Sequence, residues 1–271
     1  MVFVHPVRVA LVIPLAYFWL ELSPASFLSG IGGPMIIITA TFILADPLKR
    51  PEAIKKAAPL QQATRDDEAG CQSYVFSPDP ASDEKVVVFE LWDDRDSLHA
   101  HFDHTNYFNM GSMFGEIGLA GADSRKWRVT ACEPVYDDNK KARADFFSSE
   151  SQAPNDPIVI AGHIDLHDPS EREKLLTDSI PFQLATRNEE PGCQMYVFSA
   201  DPCREERVEV VEIWDDMASL AAHFNHENYF NMGNLIRSTS GRDSNHRKFR
   251  CDVNEPVYDN DRRARADFFS I

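Results

Sequence analysis

The motifs that usually betray a cofactor or a nucleophile are missing from this sequence. It holds no G-x-G-x-x-G, no P-loop, no G-x-S-x-G and no H-E-x-x-H. It therefore lacks the glycine loops that cradle pyrophosphate, the elbow that presents a serine and the helical histidine pair that binds zinc. The five cysteines, Cys71, Cys132, Cys193, Cys203 and Cys251, include no C-x-x-C pair. An odd number of scattered thiols does not make a disulfide framework. Basic residues are few and unclustered: 27 Lys and Arg face 43 Asp and Glu, for a formal net charge of −16. A surface of that sign repels phosphate backbones, which excludes nucleic acid as a partner. A membrane-length apolar run is also missing. Val9–Leu20 is apolar behind Arg8, but it is interrupted by Pro14 and too short to cross a bilayer as a helix. Residues 1–34 read as an extension upstream of the fold, which places the protein in the cytoplasm. The alternative is an export signal whose core precedes the small residues of Ser23–Ser26.

What the sequence does contain is itself, twice. ATRDDEAGCQSYVFSPDP at Ala63–Pro80 returns as ATRNEEPGCQMYVFSADP at Ala185–Pro202. AHFDHTNYFNMG at Ala100 returns as AHFNHENYFNMG at Ala222, EPVYD at Glu133 as EPVYD at Glu255, and ARADFFS at Ala142 as ARADFFS at Ala264. Each pair is offset by 122 positions, so the copies align without a gap. A period this long marks a duplicated domain, since solenoid repeats are shorter. Residues 35–149 form copy one and 157–271 copy two, with the Ser/Pro/Asn-containing stretch 150–156 as linker.

Within one copy the pattern predicts β-α-β-β-α-β. Ile36–Leu44 is a β-branched run. In its counterpart Ile158–Leu166, Ala161, His163 and Asp165 share a face. Asp46-Pro47 and Asp168-Pro169 look like an N-cap followed by proline at the first helical position, with the helix running to about Ala63 in copy one. Cys71–Ser77 and Val86–Trp92 are strands, and in the second Val86, Val88, Glu90 and Trp92 share a face. A helix from about Arg95 to His104, a further turn or two after Asn106, and a strand at Lys126–Ala131 complete the unit. This is the ferredoxin-like order, α+β in class. A four-stranded sheet covered by helices on one side leaves its other face in need of a partner. The tandem copy supplies that partner, so the two ferredoxin-like domains are predicted to form an intrachain pseudo-dimer. Assembly of pseudo-dimers into a larger homo-oligomer is left open.

The segment EAGCQSYVFSPDP followed by FELWDDRDSLHAHF resembles the signature of the antibiotic biosynthesis monooxygenases (ABM, with quinol monooxygenases among them). Copy two is the better match, through Glu190-Pro191-Gly192-Cys193, Tyr196, Asp201-Pro202, Glu212, Trp214, Ala222 and His223. The resemblance covers nearly all of both copies. It implies a dimeric α/β barrel, here completed within one chain. It also implies a small-molecule substrate, an aromatic or quinol-like compound oxidised by O2 as co-substrate, with neither metal nor organic cofactor. An isomerase-like or purely binding role on the same fold is the alternative. The haem-degrading branch carries a tryptophan where His101 and His223 stand and a histidine where Gly111 and Gly233 stand, which argues against haem.

A cofactorless oxygenase must remove a phenolic proton, and histidine is the side chain suited to that near neutrality. His101 and His223 are therefore candidate catalytic residues, and Glu90 and Glu212, carboxylates among valines, are candidates to orient them. His104 and His226 follow at a spacing that puts them on the same helical face. Two such histidines with Glu90 or Glu212 as third ligand would be a weak metal motif. Trp92 and Trp214 are candidates to wall an aromatic pocket and Tyr74 and Tyr196 to hydrogen-bond a substrate hydroxyl, though core packing competes for each. Arg65 and Arg187 could meet a substrate anion, with a local ion pair to Glu68 or Glu190 as the plainer expectation. His163 stands where copy one has Thr41, and if it faces the pocket the two sites are not equivalent.

Overall fold

The computed structural model describes residues 33–149 and 151–271. All but the last two residues of the N-terminal extension lie outside them. Copy one runs β1 (Ile36–Leu44), a 3-10 turn, α1 (Arg50–Asp67), β2 (Cys71–Pro78), β3 (Lys85–Trp92), α2 (Arg95–Phe102), α3 (Thr105–Ile117) and β4 (Leu119–Pro134). Copy two repeats it as β5 (Ile158–Leu166), a 3-10 turn, α4 (Arg172–Glu189), β6 (Cys193–Ala200), β7 (Arg207–Trp214), α5 (Met217–His223), α6 (Glu227–Arg237) and β8 (Arg242–Pro256).

The local chemistry of the boundaries follows the sequence. Asp46 and Asp168 accept from Leu48 N and Ser170 N at 3.0 and 2.9 Å, and Asp94 and Asp216 accept from Ser97 N and Ser219 N. Each cap satisfies a backbone donor that the first helical turn leaves free. α1 continues a turn beyond Ala63 to Asp67, and the turn after it passes through Gly70, whose φ of 83° and contact with Ser97 leave no room for a Cβ. Three boundaries differ from expectation. The helix expected to reach His104 stops at Phe102, and His104, in extended conformation, caps a separate helix by accepting from Asn106 N at 3.2 Å. α3 then spans 13 residues rather than a turn or two. β4 is 16 residues long because Leu119–Arg128 pairs with β1 while Arg125–Pro134 pairs with β8.

All eight strands form one antiparallel sheet in the order β2-β3-β1-β4-β8-β5-β7-β6. Each half has the ferredoxin-like order, and the halves join along β4 and β8, where Lys126 pairs with Glu255 and Cys132 with Phe249. Alternate residues of each strand serve different cores. Ile36, Ile38, Val86, Val88 and Trp92 pack under α1–α3. Ile37, Phe89, Leu91, Trp127 and Val129 face the other way and share a core with Val159, Ala161, Val211, Ile213, Phe249 and Cys251 of copy two. At ~1.5–3 kcal/mol for each large apolar side chain taken from water, this shared core is the main force holding the halves together. The outer edges β2 and β6 then meet through side chains. Ser77 Oγ lies 2.7 Å from its equivalent Ser199 Oγ, Arg65 pairs with Asp201 at 3.0 Å, and Arg187 with Asp79 at 2.8 Å. The predicted intrachain barrel is therefore present.

The copies also exchange arms. After β4 the chain crosses to copy two, where Val135, Ala144 and Phe146 join the core beneath α4–α6. After β8, Val257 and Ala266 do the same for copy one.

Candidate active site

Between sheet and helices of copy one lies a cavity of about 400 Å³. Phe42, Tyr74, Phe76, Phe102 and Phe114 give it an aromatic wall, and α3 contributes Tyr107 and Phe108 at the rim. Val257 and Tyr258 of the crossing arm complete it, so neither copy alone encloses the space. Its polar groups are few. Tyr107 and Tyr258 hold their hydroxyls 3.0 Å apart, and Ser124 enters from β4. The carboxyl of Glu90 enters mid-wall from β3. It is 6% exposed and accepts from Trp92 Nε1 at 3.0 Å. Burial pushes the Glu90 carboxyl above the usual carboxylate range, and the nearby His101 charge and the Trp92 hydrogen bond only partly oppose it.

His101 does not line this cavity. It is buried behind the wall, its ring 4.6 Å from that of Trp92 and edge-on to Tyr74 and Tyr107. Its carboxylate partner is not Glu90 but Glu68, from the end of α1, at 2.7 Å from Nδ1. Asn106 Nδ2 donates to the other Glu68 oxygen at 3.0 Å, and His104 Nδ1 lies 3.2 Å from it. His104 thus meets His101 through a shared carboxylate and not along a common helical face. Burial raises the Glu68 pKa, but the hydrogen bonds and charge of His101, helped by Asn106 and His104, bring it below the ordinary value. The same hub recurs in copy two, with Glu190 at 2.8 Å from His223 Nδ1 and 3.3 Å from His226 Nδ1. The expected pairing of Arg65 with Glu68 and of Arg187 with Glu190 does not form, because each guanidinium reaches the other copy's Asp-Pro turn instead. Trp92 and Trp214 are fully buried and hold Glu90 and Glu212 from behind. Among the described residues, no three His, Cys, Asp or Glu side chains are grouped to hold a metal ion.

The sequence profile of the antibiotic biosynthesis monooxygenase family matches residues 35–109 and again 164–232. The chain belongs to this family. The solved structures that match the chain include the following three. A candidate monooxygenase from Lactobacillus acidophilus is 12% identical over 82% of this chain and 96% of its own, with a TM-score of 0.36. One from Fusobacterium nucleatum is 12% identical over 82% and 94%, with a TM-score of 0.37. A candidate antibiotic biosynthesis monooxygenase from Caulobacter crescentus is 22% identical over 36% of this chain and 91% of its own, with a TM-score of 0.34. No curated protein matches the chain. Among the described residues, no helix is long and apolar enough to cross a membrane.

The two ABM units differ most where their cavities should be alike. The copy-two cavity measures about 100 Å³. It keeps Tyr196, Glu212 and a hydroxyl pair, Tyr229 with Tyr136 of the crossing arm, 3.3 Å apart. Burial raises the pKa of Glu212 as it does that of Glu90. Two larger side chains take up the room: Arg237 stands where copy one has Gly115, and His246 where it has Ser124. The Nε2 of His246 is buried without a hydrogen-bond partner, and burial, with the charge of His163, pushes its pKa down to about 4. Neither residue was marked by sequence reasoning, although aligning the copies at their constant offset would have exposed both. His163 does not reach this cavity. Like Ala161 on the same strand, it faces the space between the two halves of the sheet.

Proposed function

We propose that this protein is a cofactor-independent monooxygenase that oxidises a small aromatic, phenol- or quinol-like substrate with O2 in the copy-one cavity. A buried carboxyl of raised pKa on an aromatic wall supports the reading. Such a group is a stronger base than an ordinary carboxylate, and it sits in the cavity while His101 does not. A cavity of about 400 Å³ falls in the range of small-molecule sites and accommodates a fused aromatic system, since roughly 150 Å³ already holds benzene. Glu90 takes the phenolic proton, and the electron-rich anion reduces O2. One oxygen atom enters the ring carbon that loses its hydrogen and the other leaves as water, so a hydroxyarene and O2 give a quinone and water with no outside reductant. The Tyr107–Tyr258 hydroxyl pair hydrogen-bonds the substrate oxygen. His101, fixed by Glu68, is a positioning residue whose charge tunes Glu90.

Oxygen consumption measured against a panel of hydroxyarenes tests this. Glu90→Gln should keep ring binding and lower kcat by roughly 10²–10⁴-fold, the usual worth of a general base. Undiminished turnover in that variant would remove Glu90 from the mechanism. Tight binding of the panel without oxygen uptake would favour a non-catalytic binding module.

A further inference from the structure

A second cavity, of about 410 Å³, lies on the opposite face of the sheet, at one mouth of the barrel between the two copies. We propose that it is a binding site for a small oxyanion, a carboxylate or phosphate. Its walls carry Arg65 from α1, Arg204 and Arg207 around the start of β7, Arg247 from β8 and His163 from β5. Its floor is apolar, formed by Phe89, Leu91 and Phe249. The inference is independent of the oxygen chemistry.

Charge is the first support. In a chain of net charge −16 the overall field repels anions, so a site for one requires a local concentration of cations. Here four guanidiniums face one space. Arg65 and Arg207 are held rigid by Asp201 and Asp165, at 3.0 and 2.7 Å, and Arg247 lies 5.8 Å over the Phe249 ring. Arg204 is exposed and lines the same cavity. The guanidiniums outnumber these two aspartates together with Asp66, which is engaged by Gln62 at 2.8 Å. Glu209 adds no negative charge near neutrality. Burial and the neighbouring Asp201 push its carboxyl up to about 8, and its proton is shared with Asp201.

The duplication supplies the second support, because it shows what the barrel needs at this position. At the equivalent mouth Ser82 replaces Arg204, Thr41 replaces His163, Val87 replaces Glu209 and Trp127 replaces Phe249. Trp127 is fully buried and donates to Thr39 at 2.8 Å. The fold is therefore satisfied there by valine and tryptophan. A buried ionic cluster is costly to desolvate and adds little stability. Three of the cations recur at that mouth as Arg187, Lys85 and Arg125, so the difference that points to a ligand is the added Arg204, His163 and Glu209.

Calorimetric titration with benzoate and with inorganic phosphate tests the site. Benzoate reports a carboxylate on a flat apolar body, and phosphate a bare oxyanion. The wild-type chain should bind at least one of them at one equivalent. Arg204→Gln should weaken that binding by roughly tenfold and Arg204→Glu by more, since a charged hydrogen bond is lost and then reversed. The Arg204 side chain is exposed and, among the described residues, forms no hydrogen bond or ion pair, so both variants should keep the wild-type melting temperature. Failure of both probes to bind, or an affinity unmoved by either substitution, overturns the proposal.

Discussion

The buried glutamates of this protein fall into two kinds, and the donors around them decide which. Glu68 and Glu190 receive several hydrogen bonds and stay ionised, whereas Glu90, Glu212 and Glu209 are desolvated with too few donors to compensate. A carboxyl whose folded pKa is raised stabilises the fold fully below its unfolded pKa, and that contribution is lost as pH rises to the folded value. For Glu209 the window runs from about 4.5 to about 8. Glu209→Gln should therefore match the wild type near pH 5 and exceed it by roughly 1–3 kcal/mol near pH 9, read from urea unfolding at both values. A gap that did not grow with pH would mean that Glu209 is ionised throughout. The residue types of the hub were legible in the sequence, but the pairings were not. His101 was visible as a helical histidine, whereas its true partner Glu68 is 33 positions away and becomes adjacent only because α1 ends beside α2. Arg65 meets Asp201 across 136 positions, a contact that exists only once the two copies close on each other.

At the scale of elements, strands were read best. β1 and β5 begin and end where their β-branched runs do, because hydrophobic alternation and burial are the same signal. The arms carried no such period, and ARADFFS could be seen as repeated without showing where it goes. In the structure it crosses to the other copy. Glu255 accepts from Phe269 N and Ser270 N at 2.9 and 2.8 Å, and pairs at 2.9 Å with Lys126, which is fully buried in copy one and lies 4.3 Å over the Phe269 ring. Lys126 also donates to the Arg265 carbonyl at 2.8 Å. Removing residues 264–271 strips Ala266 from the copy-one core and leaves both buried charges short of partners. The expected loss is about 3–5 kcal/mol, seen as a fall of roughly 10 °C in the thermal midpoint. Cavity ligands should also bind more weakly, because Tyr258 is no longer anchored through its bridge to Ala264. An unchanged midpoint would make the arm a surface appendage.

At the scale of the whole molecule, duplication removes a constraint that a symmetric dimer must obey. Two identical subunits offer identical pockets, whereas two fused copies can diverge. Here the ion pairs at the barrel seam and the Glu68 and Glu190 hubs stay twofold, while the cavities differ about fourfold in volume. A space of about 100 Å³ is smaller than the roughly 150 Å³ that admits one benzene ring, so a substrate that fills the copy-one cavity finds no second seat in copy two. The two sheet–helix cavities should therefore bind one hydroxyarene between them, not two. Replacing both obstructing side chains with those of copy one, Arg237→Gly with His246→Ser, should open the second cavity and raise the stoichiometry in calorimetric titration from one to two. The change discards an imidazole whose Nε2 is buried without a partner, so it should cost little stability. Two equivalents bound by the unaltered chain would show that Arg237 and His246 swing aside, and the difference between the copies would then lie in affinity instead of access.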